Sequence, residues 1–200
     1  MLQHIIEAIA VISAFLSVYY SVNRSLLLWL TGVISQITYF WLFLRLALYG
    51  DALLQIIFLV ITIYGWVIWY RQQGQVNERQ VSYLTFKQQF SILIATMIGI
   101  YFLSLGLRDY TNDALPFFDA CITLCSITGQ CLLCFKKIEN WYYWFFTNII
   151  SVGVYAYKGI YLTSLLYIIL IMVVINGIVQ WRKALPKTNR YSASTITTQE

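Results

Sequence analysis

The chain has 200 residues, of which 60% are hydrophobic and only 10% are charged, and its mean hydropathy is +0.70. This composition excludes a water-soluble globular domain, in which about a quarter of the residues are charged. The net charge of +5 is small, and its cations lie in short connections and a tail, so we expect no folded basic surface that could bind nucleic acid.

Seven apolar segments follow one another along the chain, each close to the ~20 residues that a helix needs to cross a bilayer. Backbone polar groups in lipid must be satisfied within the segment, so we expect helices. The sequence therefore predicts an all-α membrane protein with seven transmembrane helices. The predicted spans are Gln3–Val22, Ser25–Leu48, Ala52–Tyr70, Gln88–Leu107, Leu115–Phe135, Asn140–Tyr157 and Ile160–Trp181.

The ends of the chain differ in character. The first apolar segment is not preceded by a basic region, so we expect it to be retained as a span and not cleaved as a signal peptide. The seven-helix domain is predicted at residues 1–182, and a polar cytoplasmic tail at residues 183–200.

Orientation follows from lysine and arginine, which concentrate on the cytoplasmic side of membrane proteins. Three of the 13 basic residues lie on one side, namely Arg45, Arg108 and Lys158. The other ten lie on the opposite side: Arg24, Arg71, Arg79, Lys87, Lys136, Lys137, Arg182, Lys183, Lys187 and Arg190. The N-terminus is therefore predicted outside and the C-terminus in the cytoplasm.

An internal repeat is visible between the two halves. The end of the third span, Tyr64–Trp69, resembles the end of the seventh, Asn176–Trp181. With a four-residue shift, Ser35 and Tyr39 match Ser151 and Tyr155.

Spans 1–3 (about residues 3–70) and 5–7 (about residues 115–181) are thus predicted to be two copies of a three-helix unit, joined by a linker helix at about residues 88–107. Because one helix separates two units of three, both copies cross the membrane in the same direction. In transporters built from repeats, the substrate site lies between the repeats near the bilayer midplane.

The sixth span carries the pattern most typical of a binding site. Trp141, Trp144 and Asn148 stand at i, i+3 and i+7 and share one helix face. Each indole can attract a flat cationic ring by about 0.5–2 kcal/mol. The structural alternative is an interfacial tryptophan belt with an asparagine that links two helices.

Other polar side chains at membrane depth are candidates because exposure to lipid would cost them heavily. They are Gln36, Tyr39, Gln55, Asp119, Ser151 and Tyr155. Gln36 and Ser151 can instead form hydrogen bonds between helices. Asp119 can instead complement the dipole at a helix N-terminus.

Catalytic and metal chemistry are not predicted. The chain has no G-x-S-x-G, H-E-x-x-H or phosphate-binding loop motif, and its single histidine is the near-terminal His4. Cys121, Cys125, Cys131 and Cys134 spread over one helix instead of converging as zinc ligands. We therefore predict no catalytic residue, no metal and no cofactor.

Several segments resemble the PnuC family of bacterial vitamin transporters. They are Tyr49–Asp51, Leu53–Gln55, Tyr64–Trp66, Glu139–Trp144, Ser151–Gly153 and Tyr155–Thr163. The resemblance implies two three-helix repeats with a linker helix, assembled as a homotrimer. It also implies facilitated diffusion of a non-phosphorylated B vitamin, which a cytoplasmic kinase then phosphorylates and retains.

Family members carry nicotinamide riboside, thiamine or riboflavin. Carried onto this chain, the Trp-x-x-Trp motif makes Trp141, Trp144 and Asn148 the expected substrate contacts, and Gln36, Gln55 and Asp119 are expected to help. Nicotinamide riboside members often have Pro-Leu or a similar pair between the tryptophans, whereas this chain has Tyr142-Tyr143. The resemblance therefore favours thiamine over nicotinamide riboside. A sugar facilitator with the same helix pattern and a seven-span vitamin sensor remain alternatives.

Overall fold

The computed structural model describes residues 2–75, 79–111 and 114–186. The side chain of His4 and the tail beyond Pro186 lie outside this description. The seven helices are α1 (Leu2–Val22), α2 (Leu27–Arg45), α3 (Tyr49–Gln72), α4 (Phe86–Tyr110), α5 (Pro116–Cys134), α6 (Glu139–Tyr157) and α7 (Tyr161–Lys183). Every helix end lies within three residues of the predicted end. The predicted all-α fold is confirmed.

Six of these helices are long and apolar enough to cross a bilayer, and α6 is the exception. Its hydropathy is low because its sequence contains strongly polar residues, namely Glu139, Asn140 and Asn148. Short connections, residues 135–138 and 158–160, join α6 to two apolar helices, and it packs against both. Its packing between two apolar helices, more than its own composition, therefore indicates that α6 lies among the membrane-spanning helices.

The chain divides into two compact units, residues 1–79 and 80–200. In the first unit, α2 packs against both α1 and α3. In the second, α6 packs against both α5 and α7, and α4 packs against α5. The helix that the sequence predicts to be a linker is thus part of the second unit.

The three helices of the first unit match α5–α7 at a spacing of 112 residues. Helices α2 and α6 begin at residues 27 and 139 and end at residues 45 and 157. The turns before these helices contain the left-handed residues Arg24 and Lys136, and the turns after them contain Ala47 and Gly159.

Tryptophan packing repeats at the same spacing. Trp29 and Trp69 meet edge to face at 5.4 Å and 84°, and Trp141 and Trp181 do so at 5.7 Å and 82°. The first pair joins α2 to the end of α3, and the second joins α6 to the end of α7.

The helix bounds favour this single spacing over the four-residue shift used to align Ser35 and Tyr39. At a constant 112 residues, Ser35 corresponds to Thr147, and Tyr39 corresponds to Ser151. Ser35 and Thr147 are both buried, at 6% and 3% exposure, which agrees with this pairing.

The connection before α4 is held against the turn between α5 and α6. Ser82 exchanges backbone hydrogen bonds with residues 136 and 138, at 3.2 and 3.1 Å. Glu139 is 6% exposed, and its Oε1 accepts from the backbone N–H of Leu84 at 2.8 Å and from Gln89 Nε2 at 3.1 Å. Glu139 therefore anchors a neighbouring segment and does not cap its own helix.

The cysteines take part in packing in the second unit. Cys121 and Cys125 lie in a core cluster with Ile100 and Ala120, where α4 meets α5. Among the residues that the structure describes, no group of histidine, cysteine and acidic side chains is arranged to hold a metal ion.

Candidate functional site

Helix α6 carries one continuous face of indole and amide groups. Trp141, Trp144, Asn148 and Ser151 fall within an arc of about 80° at 3.6 residues per turn. We call these four residues the indole–amide face. The sequence predicts the shared face for Trp141, Trp144 and Asn148, and the helix places Ser151 on it as well.

Trp141 is the packed member of this face. It is 2% exposed, and its ring meets Trp181 edge to face. Gly177 on α7 lies so close that a methyl group there would be 2.6 Å from Trp141 Cη2. These contacts belong to a core residue at the interface of α6 and α7.

Trp144, one turn later, is half-buried and has a different environment. No aromatic ring stacks on it and no hydrogen bond reaches it from the rest of the described chain. Its pyrrole edge lies against Gly129 of α5, where a methyl group would be 3.2 Å from Nε1 and 3.3 Å from Cδ1. The remaining ring surface is therefore not used by packing against another ring.

Asn148 and Thr147 are buried polar residues whose side chains make no hydrogen bond to another described residue. Asn148 is 4% exposed and makes no hydrogen bond to another described residue. The neighbouring Thr147 is 3% exposed, and its Oγ1 likewise has no partner in the described ranges, whereas the buried Ser151 hydroxyl faces the side chain of Tyr167. Buried polar groups are nearly always hydrogen-bonded, so a ligand or ordered water is expected here.

Thr147 is not among the site residues that the sequence predicts, although its position matches that of Ser35. A hydroxyl in a helix can bond to the backbone of the preceding turn, as Thr31 and Thr38 do at 2.8 and 2.6 Å. Side chains that can make this local bond look ordinary in a sequence. Only the tertiary structure shows that Thr147 and Ser151 do not make it.

Two aromatic candidates use their rings in stacking. Tyr155 of α6 stacks on Tyr167 of α7, with ring centroids 5.3 Å apart and planes 15° apart. Tyr39 stacks on Phe43 within α2 at 5.6 Å and 21°. Each pair has one ring face committed to its partner.

The two glutamine candidates of the first unit differ. Gln36 Nε2 donates to Thr62 Oγ1 at 2.8 Å and so links α2 to α3, while its Oε1 is buried without a partner in the described chain. Gln55 on α3 is half-buried, and the described residues offer it no hydrogen bond. Gln36 thus has the interhelical bond that was its structural alternative.

Asp119 lies apart from the indole–amide face. Its Oδ2 accepts from Lys158 Nζ at 2.8 Å, and the two side chains are 29% and 31% exposed. This pair joins the N-terminus of α5 to the turn between α6 and α7. Its geometry is that of a partly exposed structural ion pair.

The other side of α6 lines a separate apolar groove of about 530 Å³ in the second unit. Residues of α4 and α5 and Leu84 line the groove opposite α6, whose wall is formed by Glu139, Tyr142, Tyr143, Phe146 and Ile150. The Tyr142 hydroxyl accepts from Arg182 Nη2 at 2.8 Å. The two residues between the tryptophans therefore face away from Trp144 and Asn148.

Comparisons with known proteins agree with this architecture. A family model described as "Nicotinamide mononucleotide transporter" matches residues 4–183. Over 201 aligned positions, the chain is 30% identical to the nicotinamide riboside transporter PnuC of Escherichia coli (strain K12), an alignment that covers 88% of this chain and 84% of that protein. The chain is also 23% identical to the riboflavin/roseoflavin transporter RibM of Streptomyces davaonensis over 184 positions, with 90% and 86% covered.

A solved structure shows the same fold. The crystal structure of the vitamin B3 transporter PnuC matches with a TM-score of 0.70 at 22% identity, covering 90% of this chain and 81% of that one. With a family match that spans nearly the whole helical region, the chain belongs to the PnuC family of transporters and is a multi-pass protein of the bacterial inner membrane.

Proposed function

We propose that this protein imports a B vitamin with a flat cationic ring by facilitated diffusion, and that nicotinamide riboside is its substrate. One observation carries the proposal: the half-buried Trp144 presents an unstacked indole one turn before Asn148, a buried amide without a partner. An indole attracts a pyridinium ring, and an asparagine side chain can both donate to and accept from a carboxamide. Nicotinamide riboside has both groups.

The sequence preference for thiamine rests on Tyr142-Tyr143, and these residues line the groove on the other side of α6. Their side chains therefore carry no direct information about the ring that Trp144 would contact. A relative named as a nicotinamide riboside transporter, 30% identical over 88% of this chain, supports nicotinamide riboside instead.

The proposed topology has seven spans, an outside N-terminus and a cytoplasmic C-terminus. The constant 112-residue spacing of helix bounds, left-handed turns and tryptophan pairs supports two parallel repeats. The distribution of lysine and arginine supports the orientation. A reporter that fluoresces only in the cytoplasm, fused after residue 200, should be bright; a dark fusion at normal expression would reverse the topology.

The homotrimer and the cytoplasmic kinase stay predictions from the family resemblance. Cells that lack a nicotinamide riboside kinase should equilibrate labelled substrate across the membrane without accumulating it. Accumulation in such cells would show that uptake is driven by another source of energy.

The central experiment is binding to the purified protein. Nicotinamide riboside and thiamine are titrated separately against the unmodified protein, Trp144→Ala, Asn148→Ala and Tyr142→Phe. Loss of the indole should weaken binding of nicotinamide riboside by about 1–2 kcal/mol, or roughly 5–30-fold. Tyr142→Phe is the matched control because its side chain lines the groove.

Three results would count against the proposal. Binding of thiamine but not of nicotinamide riboside would identify thiamine as the substrate. Equal weakening by Tyr142→Phe and Trp144→Ala would move the site to the groove. Absence of binding by either vitamin, with saturable uptake of a sugar into vesicles, would favour the sugar facilitator.

A further inference from the structure

The matched spacing allows the second unit to be compared with the first, position by position. In the first unit, Ser17 Oγ donates to Leu28 O at 2.8 Å and joins α1 to α2. Gly32 lies beside it: a methyl group there would be 3.3 Å from Ser17 Oγ and 3.4 Å from Thr62 Cγ2. This face of α2 is therefore closed by its neighbours on α1 and α3.

In the second unit the small and the large side chain of this contact exchange places. Gly129 occupies the position that matches Ser17, and Trp144 occupies the position that matches Gly32. A methyl group at Gly129 would lie 3.2 Å from Trp144 Nε1, 3.3 Å from Cδ1 and 3.4 Å from Asn140 O. The absent side chain on α5 leaves the space that the edge of the indole occupies.

The amide one turn later follows the same pattern. In the first unit, Gln36 donates a hydrogen bond to Thr62. In the second unit, Asn148 corresponds to Gln36 and Val174 corresponds to Thr62. Val174 is 3% exposed and has no side-chain hydrogen-bonding group. Asn148 is accordingly left without a bond to another described residue.

We infer that Gly129 is a positioning residue, which orients the indole of Trp144 toward the vitamin ring; this inference rests on the function proposed above. The substrate ring binds at the second unit because packing closes the matching face of the first unit. The side chain at residue 129 then determines the strength of binding without touching the substrate. Crowding of Nε1 and Cδ1 has to turn the indole or push it away from α5.

The test compares the binding affinities of variants in which a single glycine is replaced by a small residue. Gly129→Ala should weaken nicotinamide riboside binding by about 2–5-fold, since part of an aromatic contact worth about 1 kcal/mol is lost. Gly129→Ser, which reproduces the side chain of the first unit, should weaken it further. Gly153→Ala on α6, with nothing within 4 Å, is the neutral control.

Gly32→Ala is the control for the matching position. Its methyl group would press on Ser17 and Thr62, so we expect a lower melting temperature with unchanged affinity. A shift in the fluorescence emission of the indoles should accompany Gly129→Ala and should be absent in Gly129→Ala combined with Trp144→Phe. The double variant should bind as Trp144→Phe alone, because the crowded edge has gone.

The outcomes separate this inference from the proposed function. If the unmodified protein binds neither vitamin, the proposed function fails whatever residue 129 does. If Trp144→Ala loses binding but Gly129→Ala behaves like Gly153→Ala, the positioning role is refuted and the proposed function stands. If Gly32→Ala weakens binding as much as Gly129→Ala, confinement of the ring site to the second unit is overturned.

Discussion

The packing of Trp141 makes a quantitative prediction for Gly177→Ala. The new methyl carbon would lie 2.6 Å from Cη2 and Cζ3 and 2.7 Å from Cε3 of the indole. Carbon atoms in contact are normally about 3.5–4.0 Å apart, so one group has to move by about 1 Å. Trp141 has little freedom to move, because it is 2% exposed and lies edge-on against Trp181.

Overpacking of this kind costs about 1–3 kcal/mol, and an overlap with three rigid ring carbons should fall at the upper end. For a chain of this length, each 1 kcal/mol corresponds to about 2–4 °C in melting temperature. We therefore expect Gly177→Ala to melt roughly 6–12 °C below the unmodified protein.

The assay is thermal unfolding of the purified protein in one detergent, followed by tryptophan fluorescence and circular dichroism. Gly153→Ala is the control, since its methyl group meets nothing within 4 Å and replaces a poor helix former. If Gly177→Ala melts at the temperature of this control, Trp141 is not tightly packed. Its indole would then be open to the substrate, as the sequence motif predicts.

Three further predictions concern the ends and turns of the helices. Glu139→Ala removes the acceptor of Leu84 N–H and Gln89 Nε2, which should destabilise the fold by about 1–3 kcal/mol and speed proteolysis before α4; unchanged proteolysis would refute the anchoring role. Ala47→Gly relieves a left-handed residue at φ 57° and should raise the melting temperature by the equivalent of about 0.5–1 kcal/mol, whereas a lower value would show that this turn is not strained. Deletion of Lys187–Glu200 should leave vitamin uptake intact, and abolished uptake at normal expression would favour the sensor alternative.

Local rules were sufficient for the helices because a bilayer leaves the backbone few choices. Each apolar segment has to satisfy its own N–H and C=O groups, and the polar connections mark where it ends. Hydropathy alone was less informative for α6, whose Glu139, Asn140 and Asn148 make it more polar than its neighbours. Its length and short connections identify it instead.

The repeat stays a prediction from short similarities in the sequence, and the helix bounds support one register for it. A four-residue shift aligns Ser35 and Tyr39 with Ser151 and Tyr155 because similar residue types recur one turn later in α6. Helix bounds and left-handed turns depend on backbone geometry more than on residue type. They favour one constant spacing, at which Gln36 matches Asn148.

The sequence by itself determined that the chain is helical and membrane-embedded, and that Trp141, Trp144 and Asn148 share one face, because these properties follow from composition and the 3.6-residue period. Tertiary structure decided what each side chain on that face does. Two tryptophans one turn apart are chemically identical, yet Trp141 is buried against Gly177 and Trp181, whereas Trp144 is half-buried with its edge against Gly129. That difference arises from residues on other helices, and no pattern within α6 contains it.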